Sequence, residues 1–596
     1  MELISSSTSF SCFSAIDFHK SLPLPWQLKR TKPCKLVLCN FKIISQCNEL
    51  NANQRRSANY HPSIWEPKLI ELLSTPYTYD FCATQFEELK WDTKRLLEST
   101  RDPLARLKLI DSIQRLGVAY HFEEEIEEVL TNLPNLGSTD CDLYTTSLQF
   151  RLLRQHACPI SSDVFNKFRS GDGRFMESLS HDLEGILSLY EASHLGMLGE
   201  DDLEEAKNFS IKHLKSWMGT LETSVAEQVQ HSLETPLHWR MPRAEAHDFI
   251  DVYQRDNTRN LVLLELAKLD FNLVQSVYQT ELKELARWWS DLGFKEKLSF
   301  SRDRLMENYL WAMGIVYEPL YSKCRKGLTK FVCILTAMDD MYDVYGSLEE
   351  LERFTNAVNR FDIEAMEELP QYMKICYLAM FNFANEMAYD ALKDQDLNIL
   401  PYIKQEWANL CGSYLVEARW FYNKHNPTVD EYLENAWTSV GGPGAMVHAY
   451  FLLGCTITKD SLDCFKYGSE HLYWSSLITR LSDDLGTSTA EIQRGDVAKS
   501  IQCFMNEEKL SEEEARDRVK GLISYAWKKL NDESIKSLLP KSMINMSLNM
   551  ARTAQCIFQH GDGIGTSIGV TKDRLTSLIV KPFPIERHTI LYHDML

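Results

Sequence analysis

Two groups of oxygen-bearing side chains, about 140 residues apart, are the part of this chain best suited to chemistry. The first is Asp339-Asp340-Met341-Tyr342-Asp343, a DDxxD pattern. The second runs from Asp483 to Glu491 and fits (N/D)Dxx(S/T)xxxE through Asp483, Thr487 and Glu491. On a helix, residues four apart lie on one face, so Asp339 stacks over Asp343, and Asp483, Thr487 and Glu491 share a second face. Two all-oxygen faces opposed across a cavity suit hard divalent cations, Mg²⁺ above all, with a polyphosphate supplying the remaining ligands.

The elements that carry these groups support that reading. Phe331 to Met338 is apolar on nearly every side, which predicts a buried helix ending in carboxylates. Buried carboxylates are costly unless paired or metal-bound, so a merely solvated acidic face is the weaker explanation. Basic residues stand at suggestive offsets. Arg302 and Arg304 precede the first group, Arg480 lies three residues before Asp483, and Lys499 lies eight after Glu491. Guanidinium groups bind phosphate through two parallel hydrogen bonds and ammonium groups act as point charges, so Arg302, Arg480 and Lys499 fit a diphosphate. Ser439-Val440-Gly441-Gly442-Pro443 interrupts a helical pattern; it reads either as a proline kink that frees carbonyls toward a cavity or as a plain loop.

Composition excludes several classes of function. The 596 residues carry 84 Asp and Glu against 64 Lys and Arg, a net charge of −20, which leaves no basic stripe for nucleic acid. No apolar run is long enough to predict a membrane-spanning helix. The 15 cysteines are scattered without a CxxC pair, as expected of reduced thiols, and zinc is not indicated. Residues 1–54 differ from the rest. They are rich in serine and lysine and hold only Glu2, Asp17 and Glu49 as acids, the composition of an organelle transit peptide.

Beyond residue 60 almost everything reads as helix, and no stretch shows a strand-like alternation. Asp102-Pro103 marks a helix start, Leu109, Ile113 and Leu116 recur at helical spacing, and Gly117 offers a stop. The polar stretch Arg255–Asn260 separates these helices from a longer, more aromatic set, which places a domain boundary near 255–270.

Arg55-Arg56 separated by eight residues from Trp65, Arg302-Asp303-Arg304, the DDxxD and the second acidic motif stand together in one order. So do Leu187–Ser193, Glu296–Arg304 and His560–Gly563. Together they resemble the plant terpene synthases of the angiosperm monoterpene type, over residues 55–596. The resemblance implies an all-α fold in two helical domains, 55–265 a helical barrel without chemistry and 266–596 a catalytic bundle, behind a plastid transit peptide (1–54) and hence a chloroplast stromal location. The DxDD needed for chemistry in the first domain is missing at Asp140-Cys141-Asp142-Leu143. The resemblance further implies ionisation of geranyl diphosphate with three Mg²⁺ ions, Mn²⁺ being the substitute. Their ligands would be Asp339, Asp340 and Asp343 on one side and Asp483, Thr487 and Glu491 on the other. Arg302, Arg480 and Lys499 would hold the diphosphate, Trp311 would offer a ring face to the cation, and Arg55 and Arg56 would form part of a lid. Alternatives are an isoprene or sesquiterpene synthase, a chain-elongating prenyltransferase, which should carry two DDxxD motifs, and a catalytically dead scaffold. A monomer is expected, with a homodimer as the alternative, and no nucleic-acid or membrane partner.

Overall fold

The computed structural model describes residues 55–132, 141–459, 461–463, 469–537 and 539–585. The leader (1–54) and Asp140 lie outside these residues. Among the described residues the all-α expectation holds: there is no β-strand, only an isolated bridge between Arg169 and Phe175.

Local chemistry sets the helix limits where the sequence indicated. Helix α1 (Pro103–Arg115) starts with proline in its first turn, and Asp102 accepts a hydrogen bond from the Ala105 amide at 2.8 Å. It buries Leu107, Ile110 and Ile113, and Gly117 beyond its end takes a left-handed φ of +76°. Asp142 caps helix α2 (Leu143–Gln155), accepting from the Thr145 amide at 2.8 Å, so this residue has a structural task. Asn260 caps the 32-residue helix α3 (Leu261–Leu292), and the expected boundary at 265/266 falls inside that helix. One apolar core is continuous across it: Ile110 and Leu148 from the first half join Leu266, Tyr278 and Met313 from the second.

The site is framed by helices α4 (Leu305–Ile315), α5 (Ser322–Asp340), α6 (Leu348–Arg360), α7 (Leu400–Asn423), α8 (Val429–Ser439), α9 (Gly442–Leu452), α10 (Glu470–Arg494) and α11 (Lys541–Phe558). Helix α5 packs between α4 and α9, and α10 packs on α11, α8 and α9. The break between α8 and α9 is a two-residue turn between separate helices, with Gly441 at φ +78°. Residue 443 is proline and has no N–H to offer the Ser439 carbonyl one turn back. No described helix is long and apolar enough to cross a membrane.

Candidate active site

In its last two turns helix α5 is buried on every side but one. Val332, Leu335 and Asp339 are its half-buried residues in the last two turns, spaced i, i+3, i+7, and they line a cavity of about 140 Å³. After Asp340 the backbone widens into a π-type turn, Met341–Tyr345, in which the Gly346 amide reaches back five residues to the Met341 carbonyl at 2.8 Å. This differs from the regular helix expected there, yet it keeps Asp343 on the cavity wall beside Asp339. Such turns concentrate at functional sites. On the opposite wall α10 runs unbroken past Asp483, Thr487 and Glu491, and all three line the same cavity.

Asp340, expected among the metal ligands, stands apart from the others in this structure. One residue on from Asp339 means about 100° of rotation, which turns Asp340 away from the cavity. It is fully buried, pairs with the Arg302 guanidinium at 2.9 Å and accepts from the Arg302 amide at 2.8 Å. The second motif repeats the arrangement. Asp484 is fully buried, pairs with Arg480 at 2.9 Å and accepts from the Tyr432 hydroxyl and the Ser500 amide. Each arginine thus has an inner carboxylate anchor and an outer partner on the cavity wall: Arg302 reaches Asp339 at 2.5 Å, and Arg480 reaches Asp483. Arg304 takes no part. Its guanidinium is wholly buried and donates to the carbonyls of His61, Ile564 and Gly565.

Burial acts on the carboxylates of both walls. Burial and the adjacent Asp339 carboxylate hold Asp343 well above the usual carboxylate range. Burial also raises Glu491, against the pull of Lys499 and Arg480. Burial alone would lower the Lys499 ammonium, but Glu417 and Glu491 outweigh it and leave it well above its ordinary value. Glu491 Oε2 and the Tyr414 hydroxyl, both on the cavity wall, are buried without a hydrogen-bond partner in the protein. Among the described residues no three acidic, His or Cys side chains converge as a ready-made chelate. The acids face one another across a gap instead, so a cation held there would draw its remaining ligands from substrate and water. That donor set, all oxygen with orphaned carboxylate valence, fits Mg²⁺.

The other end of the cavity is apolar. Trp311 from α4 packs 6.1 Å from Phe558, and Ile315, Leu335, Ala445 and Met550 continue the wall. Arg55, Arg56 and Tyr60 reach elements that border the cavity. Arg55 grips Glu350 with two bonds of 2.8 Å, and Arg56 donates to the Asp343 carbonyl and to Asp496, each at 2.9 Å. Tyr60 packs its ring under Arg302 at 5.0 Å and enters the cavity lining.

Residues 290–529 match the terpene synthase family metal-binding domain and 64–233 the terpene synthase N-terminal domain. A probable terpene synthase 9 of Ricinus communis is 63% identical over 545 residues, covering 91% of this chain and 93% of its own. The chain belongs to the terpene synthase family. It is 61% identical to a chloroplastic trans-ocimene synthase of Litsea cubeba, covering 89% of this chain and 91% of that one. Among solved structures it is similar to limonene synthase with 2-fluorolinalyl diphosphate, at TM-score 0.87 and 41% identity, covering 89% of this chain and all of that one. It is also similar to grey poplar isoprene synthase in complex with three Mg²⁺ ions and dimethylallyl-S-thiolodiphosphate, at TM-score 0.81 and 42% identity, covering 86% and 99%. This terpene synthase is accordingly an enzyme with a divalent-metal cofactor.

Several cavity residues carried no signal in the motifs. Tyr60 stands four residues beyond Arg56 and could have been flagged by that proximity. Asn308 and Tyr414 come from two other helices, and only tertiary packing brings them to the cavity, whereas Arg494 stands three residues after Glu491 on the same face of α10 and could have been read from that spacing.

Proposed function

We propose that this terpene synthase is a monoterpene synthase that ionises geranyl diphosphate, releases diphosphate and forms a monoterpene hydrocarbon or alcohol in the plastid. One observation carries the reading: a single cavity joins two acidic walls and their arginines at one end to an aromatic, apolar chamber at the other. Asp339 and Asp343 on one wall and Asp483, Thr487 and Glu491 on the other would hold Mg²⁺, three ions as in the poplar neighbour. When bound, the metal supplies positive charge to the departing diphosphate oxygen.

The chain's own groups do the rest. With Asp339 and Asp483 drawn to cations, Arg302 and Arg480 keep Asp340 and Asp484 as anchors and turn their remaining N–H groups to phosphate oxygens. Lys499 adds a point charge from the same side. Heterolysis of the C–O bond leaves both electrons on diphosphate and an allylic cation among Trp311, Phe558 and the Ser439 carbonyl. The segment with Arg55, Arg56 and Tyr60 closes the mouth, so that bulk water does not quench the cation. The serine-rich, acid-poor leader and the chloroplastic relative support a plastid location. The linalyl analogue in the limonene synthase neighbour and the ocimene synthase relative favour a ten-carbon substrate. The poplar neighbour, which carries a dimethylallyl analogue, keeps a five-carbon substrate as the second reading.

Incubation with geranyl, farnesyl and dimethylallyl diphosphates and Mg²⁺, with volatile analysis, tests this. A kcat/KM for geranyl diphosphate at least about tenfold above the others, equivalent to about 1.4 kcal/mol, is expected. A higher value for dimethylallyl diphosphate selects the second reading, and no volatile product from any of the three overturns both.

A further inference from the structure

We propose that Glu417 is a positioning residue that ties the diphosphate end of the cavity to the helix break in its wall. The inference rests on the reading that Lys499 binds diphosphate. Glu417 sits on α7, 5% exposed, behind the cavity rather than in its lining. Its two carboxylate oxygens serve different elements. Oε2 accepts from the Lys499 ammonium at 3.2 Å. Oε1 accepts from the Ser439 hydroxyl and from Asn435 Nδ2, the latter at 3.2 Å. Lys499 and Ser439 both line the cavity, whereas Glu417 touches it only through them.

The three partners mark the ends of a mechanical link. Lys499 stands on the segment that follows α10, the helix of the second acidic motif. Ser439 is the last residue of α8, immediately before the Val440-Gly441 turn, and its own carbonyl is the one that Pro443 leaves without a helical donor. A shift of Lys499 toward an arriving diphosphate therefore pulls on the carboxylate that also fixes the orientation of that turn. Burial raises the Glu417 carboxyl, but Lys499 and Arg480 outweigh burial and leave it below its ordinary value. A buried pair of this kind is poor evidence for stability, since apolar replacements of such pairs are often neutral; what it secures is geometry. Its placement between a phosphate ligand and a cavity turn says which geometry.

Two variants separate the arms, read by two measurements: inhibition by inorganic pyrophosphate with Mg²⁺, and the ratio of products from geranyl diphosphate. Glu417→Gln retains an acceptor for Ser439 and deprives Lys499 of its counter-charge. It should weaken pyrophosphate inhibition about tenfold and shift the product ratio, with KM and kcat both changed. Ser439→Ala cuts the other arm. It should leave pyrophosphate inhibition within about twofold while moving the product ratio. If Glu417→Gln does not fold, Glu417→Asp, which keeps the charge and withdraws the carboxylate by one methylene, carries the same two expectations. Folded variants with unaltered inhibition and unaltered product ratio overturn the proposal, as does a product ratio unmoved by Ser439→Ala. If the unaltered enzyme makes no terpene, the proposed function falls; if it is active and the variants match it, only the role of Glu417 falls.

Discussion

Adjacent acids in this site face opposite ways, and the difference is a matter of rotation about a helix axis. Asp339 faces the cavity and Asp340 faces away, buried against Arg302. Under the proposed function, replacing Asp339 or Asp343 by asparagine should lower kcat/KM by about 10²–10³ and raise the Mg²⁺ concentration needed for half-maximal rate, since the lost carboxylate would weaken the hold on the metal that steadies the leaving group. Asp340→Asn should also lower activity, through a loosened Arg302, but leave the Mg²⁺ requirement where it is. A Mg²⁺ titration of initial rates distinguishes the two, and a raised requirement in Asp340→Asn would return that residue to the metal face. The acidic faces were legible in the sequence because four-residue spacing is a property of the helix backbone. Tyr414 and Glu417 were not, because their relation to the site exists only once α7 is packed against α8 and the segment after α10. The inward turn of Asp340 was not legible because motif membership does not state which way a side chain points.

At the scale of elements, the turn between α8 and α9 is the feature whose conformation the sequence left open. Both a kinked helix and a loop were compatible with Gly441-Gly442-Pro443, and the structure has two separate helices with Gly441 in the left-handed region. That backbone suits glycine for a second reason: a Cβ at residue 441 would collide with the side chain of Leu335, which itself lines the cavity. Gly441→Ala should therefore cost about 1–2 kcal/mol from the left-handed φ alone. Displacement of Leu335 into the chamber should add a drop in kcat and a changed product ratio. Denaturant unfolding and product analysis of the same preparation check the two effects, and an alanine variant with wild-type stability and products would show that the turn tolerates a side chain. The π-type turn at Met341–Tyr345 was illegible for a related reason, since no residue pattern there differs from that of an ordinary helix.

Across the whole molecule, the two halves are joined by buried polar contacts as well as by the shared core, and one of these, together with other buried histidines, makes stability depend on pH. His238, from the first half, hydrogen-bonds through Nε2 to Asn531 Oδ1 at 2.8 Å, while Nδ1 lies 3.3 Å from an Arg552 nitrogen. The neutral ring can donate at Nε2 and accept at Nδ1; a second proton would set two donors face to face. Burial and the Arg552 charge lower this histidine from 6.5 to about 3, and burial holds His448 and His471 at about 4. The sign follows from proton counting. Between the folded and unfolded values the unfolded chain binds the proton and the folded chain does not, so stability is complete above 6.5 and is lost as pH falls. One unit below 6.5 the loss is about 1.4 kcal/mol for each such histidine, or about 4 kcal/mol for the three. Unfolding free energy should be nearly flat from pH 8 to 7 and should fall steadily toward pH 5.5. Glu245, held at about 2 against its burial by Arg240 and Arg115, joins the decline only in stronger acid, below its unfolded value near 4.3. Glutamine at 238 can keep the hydrogen bond to Asn531 but cannot take up a proton. His238→Gln should therefore shift the baseline stability yet flatten the acid slope by up to one proton. A slope unchanged in that variant would remove His238 from the pH response, and a flat profile down to pH 5.5 would show that the buried rings are protonated in the folded enzyme.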